Sequence, residues 1–313
     1  MPNKKNIGYG KTILFGEHFV VHGLPAIACA ISDYTEAKVE KAKKGLELVD
    51  NRPETPGYKE TKKGEISREM DSILKFMKID VGETPLKITL SGNLVCASGI
   101  GASAALASSV ARALSEYFKL NLNDDRINEV AFEGESGGSG TPSGIDNTAS
   151  TYGGLLIFEK NLQGGKNKIE RLAIKKPIDI LLVNSGITQE TKEVVGDVRA
   201  LMEKDAEAFD WIVQQYRKVF EDGLNALKDY DLENLGEAMN RNQELLRKIT
   251  VSSDLMDELQ EIALQNGALG AKLTGTGRGG LLIALTPDKK MQGKVAKAFE
   301  KKGFHVTRTK IGI

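Results

Sequence analysis

Cysteine is scarce in this chain: its 313 residues include two, Cys29 and Cys96. That is too few for a disulfide framework, and their separation makes no metal-ligand pair. A reducing, cytoplasmic location is the expectation. Neither sign of charge is in excess, with Lys+Arg and Asp+Glu at 43 each. A nucleic-acid platform usually shows a basic surplus, so no nucleic-acid partner is expected. A locally basic pocket for a small anion stays open. Long apolar runs are also missing. Near the start "TILF" is broken at once by Gly16, Glu17 and His18, so no signal peptide is expected. Residues 88–111 lack charge over a length that reaches across a bilayer. They are nonetheless rich in Gly, Ser and Thr and contain Asn93, too polar for a lipid-facing helix, so no membrane contact is expected.

What is present reads as two domains of ordinary size, without internal repeats. Residues 43–66 mix charge with Pro and Gly and read as a surface excursion. Strand character marks 11–15, 24–32 and 85–93. Between Ser103 and Leu120 the residues Leu106, Val110, Leu114 and Phe118 recur every fourth position, one face of a helix. Another helix is expected from Asn123 or Asp124, which offer a polar cap and an acidic first turn. In the second half a strand at 178–185 precedes helical stretches at 198–228 and 231–248. The apolar residues there, with Trp211, read as core. A helix over 254–265, capped by Ser252 or Ser253, leads to a strand, glycine turn and strand. A helix over 288–302 and a last strand complete an α+β second domain entered near residue 176.

Four segments are candidates for chemistry. "GKTILFGEHFVVHG" places Lys11 at the head of a strand and Glu17 and His18 at its end, where a surface turn is the alternative. "ASGIGASAALASSVARAL" crowds small residues before a helix. Glycines at 99 and 101 permit positive φ, and the helix start offers free N–H groups, a combination that binds phosphate. Tight packing of a small-residue helix is the alternative. The run is not a Walker loop, and Ala104 stands where a dinucleotide fingerprint needs its third glycine. In "FEGESGGSGTPSGIDN", Glu135 at a helix end and Asp146 after a loop suggest a metal ligand and a second acid, against two solvated carboxylates. "KLTGTGRGG" (272–280) is either an anion loop or a hairpin.

Taken together and in this order, the four segments resemble the GHMP kinase superfamily over nearly the whole chain, and within it the branch that phosphorylates mevalonate. The resemblance implies a two-domain α+β fold. Residues 1–175 would form a ribosomal-S5-like N-terminal domain and 176–313 a ferredoxin-like C-terminal domain, with the active site in the cleft between them. It implies ATP-dependent phosphorylation of an alcohol, with phosphomevalonate or a sugar as alternative substrates. Asp146 and Lys11 would be catalytic, the first as general base or as the group orienting the hydroxyl. Glu17, His18 and Thr191 would hold the substrate. Ser98, Gly99, Ile100, Gly101, Ala102, Ser103 and Ala104 would hold the ATP phosphates, and Ser103 and Glu135 would bind Mg²⁺. A homodimer is the assembly the resemblance permits. Departures from the family pattern stand at Tyr9, Ala102, Ser136, Ser139, Thr276 and Arg278; Arg278 is expected to alter contacts near the active site.

Overall fold

The computed structural model describes residues 6–97, 99–140, 142–187 and 191–313, without the side chains of Ser139, Thr191 and Lys192. Two compact units emerge. One comprises residues up to Lys11 and Ala30–Gly153, the other Thr12–Cys29 and Gly154–Ile313. Two of the three cut points fall inside the strands β1 (Ile7–Phe15) and β2 (Ala26–Lys41), and the third lies between Gly153 and Gly154.

The first unit continues with β3 (Leu46–Asp50), α1 (Tyr58–Phe76), β4 (Leu86–Gly92), α2 (Ala102–Tyr117), α3 (Asp124–Ser139) and α4 (Ile145–Tyr152). Strand β4 pairs antiparallel with β2 and parallel with β3. Its alternation turns Leu86, Ile88 and Leu90 to one face. There they join Met70 and Ile73 of α1, Leu106, Val110 and Leu114 of α2, and Ile127 and Val130 of α3. Asn123 caps α3 by accepting from the Arg126 N–H, as its position before an acidic turn suggests.

Two sequence expectations are corrected in this unit. Residues 43–66 do lie mostly at the surface, but not as a loop, because β3 and the first half of α1 lie there. The buried face of α1 is formed by Glu69, Met70, Ile73 and Leu74, so the charged opening turns carry no apolar period of their own. Nor does a loop begin after Glu135, since α3 runs on to Ser139. Its glycines permit close helix packing. A Cβ at Gly137 would fall 1.9 Å from Ser72 Oγ of α1, and one at Gly134 2.8 Å from Ile73 Cγ1.

In the second unit β5 (Leu155–Glu159) and β6 (Lys168–Leu172) form a hairpin, and β5 also pairs with Ala26–Cys29. Then come β7 (Ile178–Asn184), α5 (Thr191–Lys204), α6 (Ala206–Asp229), α7 (Leu232–Lys248), α8 (Asp254–Gln265), β8 (Gly270–Thr274), β9 (Leu281–Leu285), α9 (Lys289–Lys301) and β10 (His305–Ile311). The strands lie in the order β10, β7, β9, β8, every neighbour antiparallel. Last beside first and third beside second is the ferredoxin-like arrangement. The single helical stretch expected over 198–228 is two helices, because Asp205 leaves the helical region and caps α6 through the Ala208 N–H. Trp211 is not core: it is half exposed, with the Lys248 ammonium 5.7 Å from its ring centre. Among the described residues no helix is long and apolar enough to cross a membrane.

Candidate active site

In the first unit, the glycine run divides into two parts with different physical reasons. From Ala104 to Ala111 the small residues are fully buried and serve packing; a Cβ on Gly8 of β1 would lie 2.1 Å from Ala105 O. Residues 99–103 are different. Gly101 precedes α2 at φ 69°, and among the described residues no side chain caps the first N–H groups of this sixteen-residue helix. The backbone N–H of Lys11 donates to Ile100 O at 2.9 Å, fixing this loop to β1. A Cβ at Gly101 would meet Lys11 Cγ at 2.7 Å. Ser98 lies outside the described residues.

Lys11 is buried, and its ammonium lies 3.1 Å from Asp146 Oδ1, whose side chain is 33% exposed. Asp146 stands in the first turn of α4, after Gly144 at φ 87°. Glu135, near the end of α3, is buried and accepts from the Asn147 backbone. Burial, then the negative charges of Asp146 and Glu69, push its carboxyl well above the usual range, with Lys11 opposing. Glu69 of α1 was not singled out from the sequence. It is buried, accepts a hydrogen bond from the Ser103 hydroxyl at 2.8 Å, and burial pushes it up to about 8 against the opposing Ser103 hydrogen bond and Arg52 charge. The Lys11 ammonium thus acts on Asp146 and Glu135, and Glu69 adds a third carboxyl beside Glu135.

In the second unit, the turn after β1 carries Glu17 and His18. Glu17 and Lys272 of β8 form an ion pair at 2.5 Å, both side chains fully enclosed. Burial raises the carboxyl and lowers the ammonium, and each partner opposes that shift for the other. His18 takes a positive φ of 62°. Its Nε2–H donates to Thr276 O at 2.7 Å, leaving Nδ1 as an acceptor that is buried and makes no hydrogen bond among the described residues. Burial lowers its pKa and keeps the ring neutral. Thr274 completes the clamp, donating to Ile13 O and accepting from Ile13 N. The side chain of Thr191, at the start of α5, lies outside the described residues.

Four of the six departures have structural explanations, and the Ser139 side chain lies outside the described residues. Arg278, at φ 51°, donates to Thr250 O at 2.9 Å and pairs with Asp197 of α5 at 2.5 Å. It braces the last glycine loop. Tyr9 packs near Gly153, where a Cβ would lie 3.0 Å from the ring. Ser136 donates back to Phe132 O within its helix. Thr276 acts through its backbone carbonyl. Lys272 had a signal in the sequence, a lysine inside the strand pattern "GAKLTG", which demands a buried partner. Glu69 had none, being one acidic residue among many on a charged helix.

The site offers hard oxygen donors, a hydroxyl and carboxyls, beside backbone N–H groups that donate hydrogen bonds. Among the described residues no three His, Cys, Asp or Glu side chains form a protein-only cage. Comparison with known proteins gives the class. Family models described as GHMP kinases N terminal domain and GHMP kinases C terminal match residues 68–154 and 224–305. The chain belongs to the GHMP kinases, ATP-dependent enzymes that phosphorylate a hydroxyl. Its relatives narrow the class to mevalonate kinases. The mevalonate kinase of Thermococcus sibiricus is 33% identical over 96% of this chain and 94% of its own length. That of Pyrococcus furiosus is 33% identical over 92% and 90%. The crystal structure of L. major mevalonate kinase in complex with R-mevalonate matches with TM-score 0.94 and 40% identity over 98% of this chain and 95% of that one.

Proposed function

We propose that this chain transfers the terminal phosphoryl group of ATP to the primary hydroxyl of mevalonate. The 3.1 Å Lys11–Asp146 pair, beside the glycine-capped start of α2, carries the reading. Phosphoryl transfer asks chiefly for positioning and charge neutralisation. The N–H groups of residues 99–104 and the helix dipole hold phosphate oxygens. Asp146 receives the proton of the attacking hydroxyl, or orients that hydroxyl, and Lys11 offsets the charge that develops on the migrating group. His18 offers Nδ1 to a substrate hydroxyl from a turn that Glu17 holds in place through Lys272. Thr191 belongs to the same substrate side by its place in the sequence.

Ser103 and Glu135 would hold Mg²⁺. The fit is chemical. Mg²⁺ takes one or two carboxylates together with phosphates, and Glu135 is buried among like charges that a cation would neutralise. Bound there, the ion neutralises phosphate charge. The division into family domains at 175/176 stays part of this reading. So does a cytoplasmic location, which two buried free cysteines suit. A homodimer is the proposed assembly. A coupled ADP-release assay with Mg·ATP and mevalonate, phosphomevalonate or galactose tests the activity. Turnover with mevalonate alone is expected; turnover only with one of the others would replace the reading.

A further inference from the structure

Ser103 is the second residue of α2, and its hydroxyl has one proton and two lone pairs. To ligate a cation it must send the proton elsewhere. The structure supplies a dedicated acceptor. The Ser103 hydroxyl donates a hydrogen bond to Glu69 Oε2 at 2.8 Å, across 34 positions of sequence. Glu69 is 1% exposed, and its Oε1 is buried with no hydrogen bond among the described residues. A buried carboxyl with one oxygen unmatched is a poor way to stabilise a fold. Its place beside Ser103 and Glu135 indicates another use.

We propose that Glu69 is a positioning residue for Ser103: it accepts the hydroxyl's hydrogen bond and so would leave the Oγ lone pairs free for a cation. This rests on the reading of Ser103 as a metal ligand. Partners of this kind orient a ligand and raise its basicity, and their loss typically weakens metal binding by about 10–100-fold. Glu69 touches neither substrate nor the reacting atoms in this account; it acts through one hydroxyl.

The probe is Mn²⁺ binding to the full chain with a non-hydrolysable ATP analogue, followed by electron paramagnetic resonance. Glu69→Ala is expected to weaken Mn²⁺ binding by about 10–100-fold. Glu69→Gln keeps an oxygen that accepts from Ser103 and is expected to stay close to wild type. Ser103→Ala should match Glu69→Ala, and the double variant should be no weaker than Ser103→Ala alone, because both act on one contact. Wild-type binding in Glu69→Ala, with Ser103→Ala impaired, overturns the role of Glu69 and leaves the site reading intact. Wild-type binding in both overturns the site reading as well. If Glu69→Ala fails to fold, Glu69→Gln still decides: a folded Glu69→Gln with Mn²⁺ binding lost would show that charge, not hydrogen-bond acceptance, is what Glu69 supplies.

Discussion

The two units each bury a lysine against acid, and they do it in opposite ways. In the second, Lys272 and Glu17 match one to one and are fully enclosed, with a histidine fastening the same turn and a threonine fastening the strand before it. In the first, Lys11 meets Asp146, which keeps a third of its side chain exposed, while Glu135 adds a second buried acid near that ammonium and Glu69 a third, opposed only in part by the Arg52 charge. A closed, self-neutralised pair stabilises a backbone turn. An open group with surplus carboxyl suits a phosphate-bound cation and a reacting hydroxyl. The lesson is that burial of charge marks neither function nor scaffold; the unmatched remainder does.

Breaking the closed pair should cost stability first. Lys272→Met leaves the Glu17 carboxyl buried and uncompensated, a loss of about 3–5 kcal/mol. Urea denaturation should show it, and adding Glu17→Leu should recover much of the loss. A Lys272→Met protein as stable as wild type would remove the distinction. At the open group the expected damage is to ligand binding. Gly101→Val sets a branched side chain at φ 69°, where even its Cβ would collide with Lys11 Cγ. ATP affinity should drop about tenfold or more, on the order of 1.4 kcal/mol, in calorimetric titration, with the thermal transition still cooperative. Unchanged affinity would assign the loop another purpose.

The smallest effect concerns pH. The folded-state pKa of His18 lies below its ordinary 6.5 because of burial. Between those two values the unfolded chain binds more protons than the folded one. Stability is therefore full above about 6.5 and falls as pH drops toward the folded value. His18→Gln should flatten that acid-side decline in denaturation midpoints from pH 7 to 5. An unchanged slope would show that other groups cause it.

Much of this was legible in the sequence. The alternation 86, 88, 90 gave β4, the four-residue spacing gave α2, and polar caps at Asn123 and Ser253 marked the starts of α3 and α8. Lys11 and Asp146, 135 positions apart in sequence, do meet. What escaped was tertiary in origin. Helix α1 hides its buried face behind charged turns, so Glu69 reads as solvated. The glycines of α3 look like loop residues because their cause, the close approach of α1, lies some 65 positions upstream in sequence. Trp211 fits an apolar period yet faces solvent, since α6 has apolar residues to spare for its buried stripe.

Turnover of Asp146→Asn with mevalonate and Mg·ATP, read beside its nucleotide affinity, puts the open site to the hardest test. A fall in kcat of about 10²–10⁴-fold is predicted, with ATP bound nearly as tightly as before. A variant that turns over at close to the wild-type rate would contradict the assignment of phosphoryl transfer to the Lys11–Asp146 pair.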